Sequence, residues 1–273
     1  MSTPDRPQPY VGVSGIGHFE QHIGLFDIAM RERIDLLGYF MMIGVQATGK
    51  TQVSEIENKR GRMWHPVGDE IAEAAANDDS GLTKPYVHCF FTDEEMATGV
   101  ANIMRRTRHY VQGVQFNGLH WTERDYRELF TDFKETYPGQ SIILQANRGV
   151  LNASGPDKLA AQLTGLPVDY VLLDPSGGYG KKMDADEIRA YVDGIYQQQA
   201  GVGVAIAGGL DAQNIEELFG PMAEEFPGLS CDAEGRLRKG PEGATELDLH
   251  LAEELVLAWK GVVSRLDSPS AQS

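Results

Sequence analysis

The feature that most constrains this chain is an alternation that runs almost its whole length. From Tyr10 onward, short apolar or β-branched runs take turns with stretches of helical spacing, eight times over. Parallel strands can be joined only by long crossovers, usually helices, so this rhythm is that of a parallel sheet wrapped in helices. The strand candidates are YVGVSGI (10–16), GYFMMIGVQ (38–46), YVHCFFT (86–92), VQGVQFN (111–117), SIILQAN (141–147), DYVLLD (169–174), GVAIAG (203–208) and LSCD (229–232). Between them, Met96, Val100, Ile103 and Met104 fall on one helical stripe, as do Ile188, Tyr191, Val192 and Ile195, and again Ile215, Leu218, Phe219 and Met222. A last helix over about 246–266 completes the series. Eight βα units without a linker predict an α/β fold, a single (β/α)8 TIM barrel over residues 10–266, with a doubly wound open sheet as the alternative. A long loop is expected over 46–66 after the second strand, and disordered tails over 1–9 and 267–273.

Bulk properties narrow the function classes. The 273 residues match the roughly 250 of an ordinary barrel. With 24 basic and 40 acidic residues the net charge is −16, which argues against nucleic acid or an anionic membrane as a partner. No apolar run reaches the length of a membrane span and MSTPDRPQPY lacks a signal-peptide core, so a cytoplasmic protein is expected. The two cysteines, Cys89 and Cys231, lie in different strand candidates and read as buried free thiols. Homo-oligomer formation is left open.

Barrel enzymes work at the C-terminal ends of their strands. Here those ends carry Ser14 and His18, Gln46, Thr92, Asn117, Gln145 and Asn147, Asp174, Gly208 and Asp232. Three of the following loops are rich in basic residues: Lys50, Lys59, Arg60 and Arg62; Lys181 and Lys182; Arg236, Arg238 and Lys239. In an acidic protein such loops predict an anionic small molecule at that face. Two glycine turns, DPSGGYGKK (174–182) and IAGGLDAQN (206–214), would let backbone N–H groups approach a phosphate. A competing signal is GVQATGKT (44–51), a full match to the phosphate-cradling P-loop, which would put Lys50 and Thr51 on a nucleotide. HFEQH sets His18 and His22 four residues apart, a usable metal spacing, but no third ligand follows, so neither metal nor organic cofactor is expected.

Six stretches taken together resemble the phosphoribosylanthranilate isomerase family and the phosphate-binding barrels around it. VGVSGI is similar to that family's first strand, RMWHP (62–66) to its motif after strand two, and VQFNG (114–118) to V-Q-L-H-G on strand four. LLDPSGGYGKKMD, IAGGLDAQNI and CDAEGRL resemble its last three phosphate-side motifs, in order. The resemblance implies a phosphorylated, ribose-type ligand, with Gly177, Gly178, Gly208, Gly209, Asp232 and Gly235 at the phosphate. It makes Asp174 the general acid of an isomerase- or lyase-type reaction, an assignment its apolar approach YVLL supports by desolvation. Arg62 would clamp the substrate, with Asn117, Lys50 and Gln145 beside it. One departure stands out: the family's base is a cysteine where this chain has Ser14, with Gly12 in place of the neighbouring lysine. A serine hydroxyl needs an activating partner, for which His18 and His120 are the candidates. A binder of phosphorylated ligands that has lost its base is the alternative.

Overall fold

The computed structural model describes residues 6–49, 66, 69–75, 80–176, 182–198, 201–238 and 246–266. Eight parallel strands close into a barrel in sequence order. They are β1 (Tyr10–Ile16), β2 (Phe40–Thr48), β3 (Thr83–Phe90), β4 (Gly113–Asn117), β5 (Ser141–Asn147), β6 (Tyr170–Asp174), β7 (Gly203–Ala207) and β8 (Ser230–Ala233). The helices are α1 (Phe19–Glu32), α2 (Glu70–Ala74), α3 (Asp93–Thr107), α4 (Arg127–Thr136), α5 (Arg148–Leu163), α6 (Ala185–Gln197), α7 (Ile215–Leu218), α8 (Gly220–Glu225) and α9 (Leu249–Leu266). Short 3₁₀ turns follow α1 and β8. Every expected strand is present, displaced by at most three residues at an end.

The helical stripes bury as their spacing demands: Met96, Val100, Ile103 and Met104, and likewise Ile188, Tyr191, Val192 and Ile195, join the core between sheet and helices. The stripe Ile215, Leu218, Phe219, Met222 is also buried, but on two helices rather than one. Pro221 supplies no N–H to continue α7 and sits in the first turn of α8. Similarly, α5 is interrupted at Gly155, whose φ of 67° suits glycine and is followed by Pro156. Thr92, expected as a site residue at the end of strand three, is the N-cap of α3 and forms a capping box with Glu95.

Strand alternation divides the barrel interior into two zones. Below, Tyr10, Phe40, Met42, Tyr86, Ile143, Tyr170 and Leu172 make an apolar plug. The segment before β1, expected within a disordered tail, closes this end. The Tyr170 hydroxyl donates to the Gln8 carbonyl at 2.7 Å, Lys84 Nζ donates to the Gln8 side chain at 3.0 Å, and the Arg6 guanidinium stacks 3.6 Å from the centre of the Tyr196 ring. Above, towards the C-terminal mouth, the inward positions turn polar.

The P-loop alternative, disfavoured already by the eightfold alternation, does not fit the structure. A phosphate loop must leave its strand at the first glycine, yet Gly44 to Thr48 are strand residues in unbroken register with Tyr86 to Phe90 on β3. Gly44 is packed so tightly that a Cβ there would lie 2.5 Å from Ser14 Oγ. The expected loop therefore begins after Thr48, and Lys50, Thr51 and Arg62 lie outside the described residues.

Phe116, fully buried on β4, meets the rings of Phe130 and Phe133 on α4 at centroid distances of 5.2 and 6.1 Å. Phe116→Ala is expected to cost roughly 3–5 kcal/mol in urea unfolding followed by circular dichroism, since the surrounding rings cannot collapse into the void. A loss below about 1 kcal/mol would show that this interface does not carry the barrel wall.

Candidate active site at the barrel mouth

The upper interior is built from one or two inward residues of most strands. Ser14, Gln46, His88, Gln115, Asn117, Gln145, Asp174 and Asp232 are all buried. Register explains their meeting: Gln46 pairs with His88, His88 with Gln115, and Gly12 with Asp232, so their side chains share a face. Two glycines in the wall permit the closest approaches. A Cβ on Gly12 would lie 2.7 Å from Asp232 Oδ1, and one on Gly44 would lie 2.5 Å from Ser14 Oγ and 2.7 Å from His88 Nε2.

Asp232 is the electrostatic centre. Burial, with smaller contributions from the negative charges of Glu234 and Asp174, pushes its carboxyl up to about 8, against a hydrogen bond from Ser14 that opposes the shift. Ser14 Oγ donates to Asp232 Oδ1 at 2.8 Å and Oδ2 at 3.0 Å, joining the first and last strands. Gln46 Nε2 donates to Glu234 just beyond β8. Asp174 stands in a different setting, accepting from Gln145 Nε2 at 2.8 Å, Ser176 N at 3.0 Å and Ser176 Oγ at 2.7 Å. Trp121 Nε1 donates to the Gln145 carbonyl at 3.0 Å and so braces the residue that holds Asp174. Both carboxyls are buried, Asp174 at 4% and Asp232 at 6% exposure.

Four buried polar atoms in this layer make no hydrogen bond: Gln46 Oε1, His88 Nε2, Gln115 Oε1 and Asn117 Oδ1. Native interiors leave few such groups, and here four of them meet at one level. Burial also drives the His88 imidazole down to about 3, keeping it neutral.

The described parts of the loops above β7 and β8 form a rim. Gly208 and Gly209 take φ values of 126° and 66°, a turn that favours glycine. Asp211 receives the backbone N–H groups of Gln213 and Asn214 and holds Arg236 by an ion pair of 2.7 Å. Gly235 opens the 3₁₀ turn Gly235–Leu237, and Arg238 reaches back to the carbonyl of Gly15 in the bulge of β1. Lys182 pairs with Glu217 at 2.8 Å. The described basic residues of these loops are thus engaged by neighbouring acceptors. Gly177, Gly178 and Lys181 lie outside the described residues, as does Lys239.

The structure brings together Ser14, Asn117, Gln145, Asp174 and Asp232 in one buried layer. It does not bring His18 to Ser14: His18 is partly exposed at the start of α1, 3.1 Å from both Glu20 and Glu246. His120 is exposed. His22 is buried and directs its ring nitrogens to the Ala74 carbonyl and Thr83 Oγ1, each at 3.2 Å, so the His18–His22 spacing does not form a chelate. No group of three or more His, Cys, Asp or Glu side chains able to hold a metal occurs among the described residues. Cys89 and Cys231 are free and buried.

The sequence reading passed over His88, Gln115 and Glu234. A usable signal existed for the first two: His88 lies two residues after inward Tyr86, and Gln115 two before inward Asn117.

No protein-family model matches this sequence, and no curated protein is similar to it. Solved structures do share its architecture. A protein from Aquifex aeolicus VF5 aligns with a TM-score of 0.55 at 11% identity, over 95% of this chain and 92% of its own. Tryptophan synthase subunit alpha from Legionella pneumophila str. Paris aligns with a TM-score of 0.57 at 9% identity, over 94% of this chain and 93% of its own. At these identities the likeness establishes the fold. The chain is a (β/α)8 barrel with a polar, carboxyl-centred mouth.

Asp232 makes a signed prediction about stability. Its folded carboxyl titrates near 8 rather than 3.8, so between these values the folded state binds more protons than the unfolded state, and stability falls as pH rises. Urea unfolding at pH 5 and pH 8 is expected to show wild type losing up to a few kcal/mol more than Asp232→Asn over that interval. Equal losses in the two proteins would place the Asp232 pKa in the ordinary carboxylate range.

Proposed function

We propose that this barrel binds a phosphorylated small molecule of the ribose-phosphate type at its C-terminal mouth and moves a proton on it, in an isomerase- or lyase-type step. The observation that carries this reading is the pair of neighbouring buried carboxyls in contrasting environments. Asp232 is held protonated near neutral pH by burial and acidic neighbours, whereas Asp174 is surrounded by donors, accepting from Gln145 Nε2 and from Ser176 N and Oγ. Two carboxyl groups in contrasting environments are the usual means of dividing acid from base.

Asp232 would protonate a ring or carbonyl oxygen of the substrate while Asp174 removes a proton from the adjacent carbon, a transfer that conserves protons overall. The sequence points to Asp174 as the acid; in this scheme Asp232, whose carboxyl burial pushes up, takes that part. Ser14 does not need to act as a base in this scheme, because its hydroxyl steadies the Asp232 carboxylate. The phosphate reading is supported by the left-handed turn at Gly208 and Gly209 and the 3₁₀ turn opened by Gly235. Loops after the seventh and eighth strands are where barrels commonly seat a phosphate. The resemblance of these loops to those of phosphoribosylanthranilate isomerases, and the fold shared with a tryptophan synthase subunit alpha, agree with it.

A panel of aldose and ketose phosphates tests both halves. In D₂O, exchange of the proton next to the carbonyl is followed by NMR, and binding by the shift in melting temperature. Asp174→Asn and Asp232→Asn are each expected to slow exchange by at least about 100-fold while keeping the thermal shift. Wild-type exchange should decline above about pH 8 as Asp232 loses its proton. Undiminished exchange in either variant removes that residue from the mechanism. Thermal shifts without any exchange would make the protein a non-catalytic binder, and no shift with any sugar phosphate overturns the ligand class.

A further inference from the structure

The polar layer is lopsided. Its carboxyls, Asp174 and Asp232, stand on β6 and β8, whereas the four buried polar atoms without a hydrogen bond, Gln46 Oε1, His88 Nε2, Gln115 Oε1 and Asn117 Oδ1, stand on β2, β3 and β4. In a closed ring of eight strands taken in order, β2 to β4 lie across from β6 to β8. Gln46, His88 and Gln115 are successive partners in register, and Asn117 stands two residues above Gln115, so the four share one stretch of inner wall. None is more than 2% exposed. Lower on β2 and β3 the same wall is packed with Phe40, Met42 and Tyr86. Amides and an imidazole in place of such side chains leave acceptors unsatisfied, which destabilises the free protein and calls for a partner from outside.

We propose that this wall is a subsite for an uncharged group rich in O–H or N–H donors, the polyol end of a ligand whose phosphate sits on the opposite rim. Three of the unpaired atoms are amide oxygens, which only accept. For Gln46 the orientation is fixed, because its Nε2 already donates to Glu234. Burial keeps His88 neutral, so its ring brings no positive charge. Above the plug, no inward residue of β2 to β4 is Lys or Arg. A carboxylate or a second phosphate placed here would meet amide oxygens and find no cation on these strands to offset its desolvation.

Phe90 completes the wall. It follows His88 by two residues, pairs with Asn117 in register and is 38% exposed, a large apolar ring left open at the mouth. Such a ring covers the C–H face of a carbon chain while the polar atoms below take its hydroxyls, the usual division of labour in a small-molecule site. The ligand's orientation rests on the proposed phosphate seat at the β7 and β8 loops; the subsite itself does not. Polyol and sugar monophosphates are thus accepted, and bisphosphates and phosphorylated acids refused.

Saturation-transfer NMR on the full chain with ribitol, a polyol without phosphate, tests the subsite directly. Wild type should transfer to ribitol, and Gln115→Met and Asn117→Leu should each lose the signal. No transfer in wild type, or undiminished transfer in both variants, overturns the proposal. Because these replacements remove acceptors that have no partner, neither should lower the melting temperature of the free protein. A fall of several degrees, or failure to fold, would show that the amides are already satisfied and overturns it as well. Calorimetry with ribitol 5-phosphate and 5-phosphoribonate, which differ only in a hydroxymethyl or a carboxylate at the far end, tests the charge preference. The polyol is expected to bind at least about 10-fold more tightly, and equal affinities overturn the uncharged character of the site. The phosphate reading fails separately, if ribitol 5-phosphate binds no more tightly than ribitol.

Discussion

Everything at the mouth of this barrel depends on the closure of β8 against β1. Closure sets Gly12 beside Asp232 and puts the Ser14 hydroxyl on a carboxyl 218 positions away in sequence. It also takes that carboxyl out of water, which gives it a proton at neutral pH. An open sheet of the same strands would leave Asp232 on an edge, solvated and ionised. The chemistry proposed here is thus a property of the closed ring rather than of any one strand.

Closure also explains why the interior is layered. Inward residues from eight strands must share one narrow column, and here it is filled with apolar side chains at one end and lined with polar ones at the other. The fill is aromatic: Tyr10 stands 5.7 Å from Phe40 and 5.4 Å from Tyr170, ring centre to ring centre. Above it the polar groups are held at fixed heights by register, with small residues Gly12, Gly44 and Ala207 making room between them. Preorganisation of this kind is what lets buried dipoles act on a reacting molecule without first rearranging.

Much of this was legible in the sequence because the dominant signals were periodic. Strand positions, the burial of the Met96 and Ile188 stripes, and the gathering of Asn117, Gln145, Asp174 and Asp232 at one end all follow from periods of 2 and 3.6. What was not legible depended on three-dimensional neighbours. GVQATGKT matches a phosphate loop in one dimension, but its first three residues already fall in the second strand candidate, and the pairing with β3 extends that strand to Thr48. Asp174 and Asp232 show the same limit: both follow apolar runs, and their partners, Gln145 and Ser176 for one and Ser14 for the other, are set by the folded neighbourhood. His18 and His22 looked like a pair by spacing, yet helix α1 turns one to the surface and the other into the core.

The stopper formed by Arg6 to Pro9 sets a schedule for assembly. Gln8 accepts the Tyr170 hydroxyl, a partner 162 residues downstream. At a synthesis rate of about 5–20 residues per second, Tyr170 is made roughly 10–30 seconds after Gln8. Over that interval Tyr10 can meet Phe40 but not the Tyr170 ring that completes the plug. The bottom of the barrel is therefore sealed only after the sixth strand is made, well after the first two strands can pair.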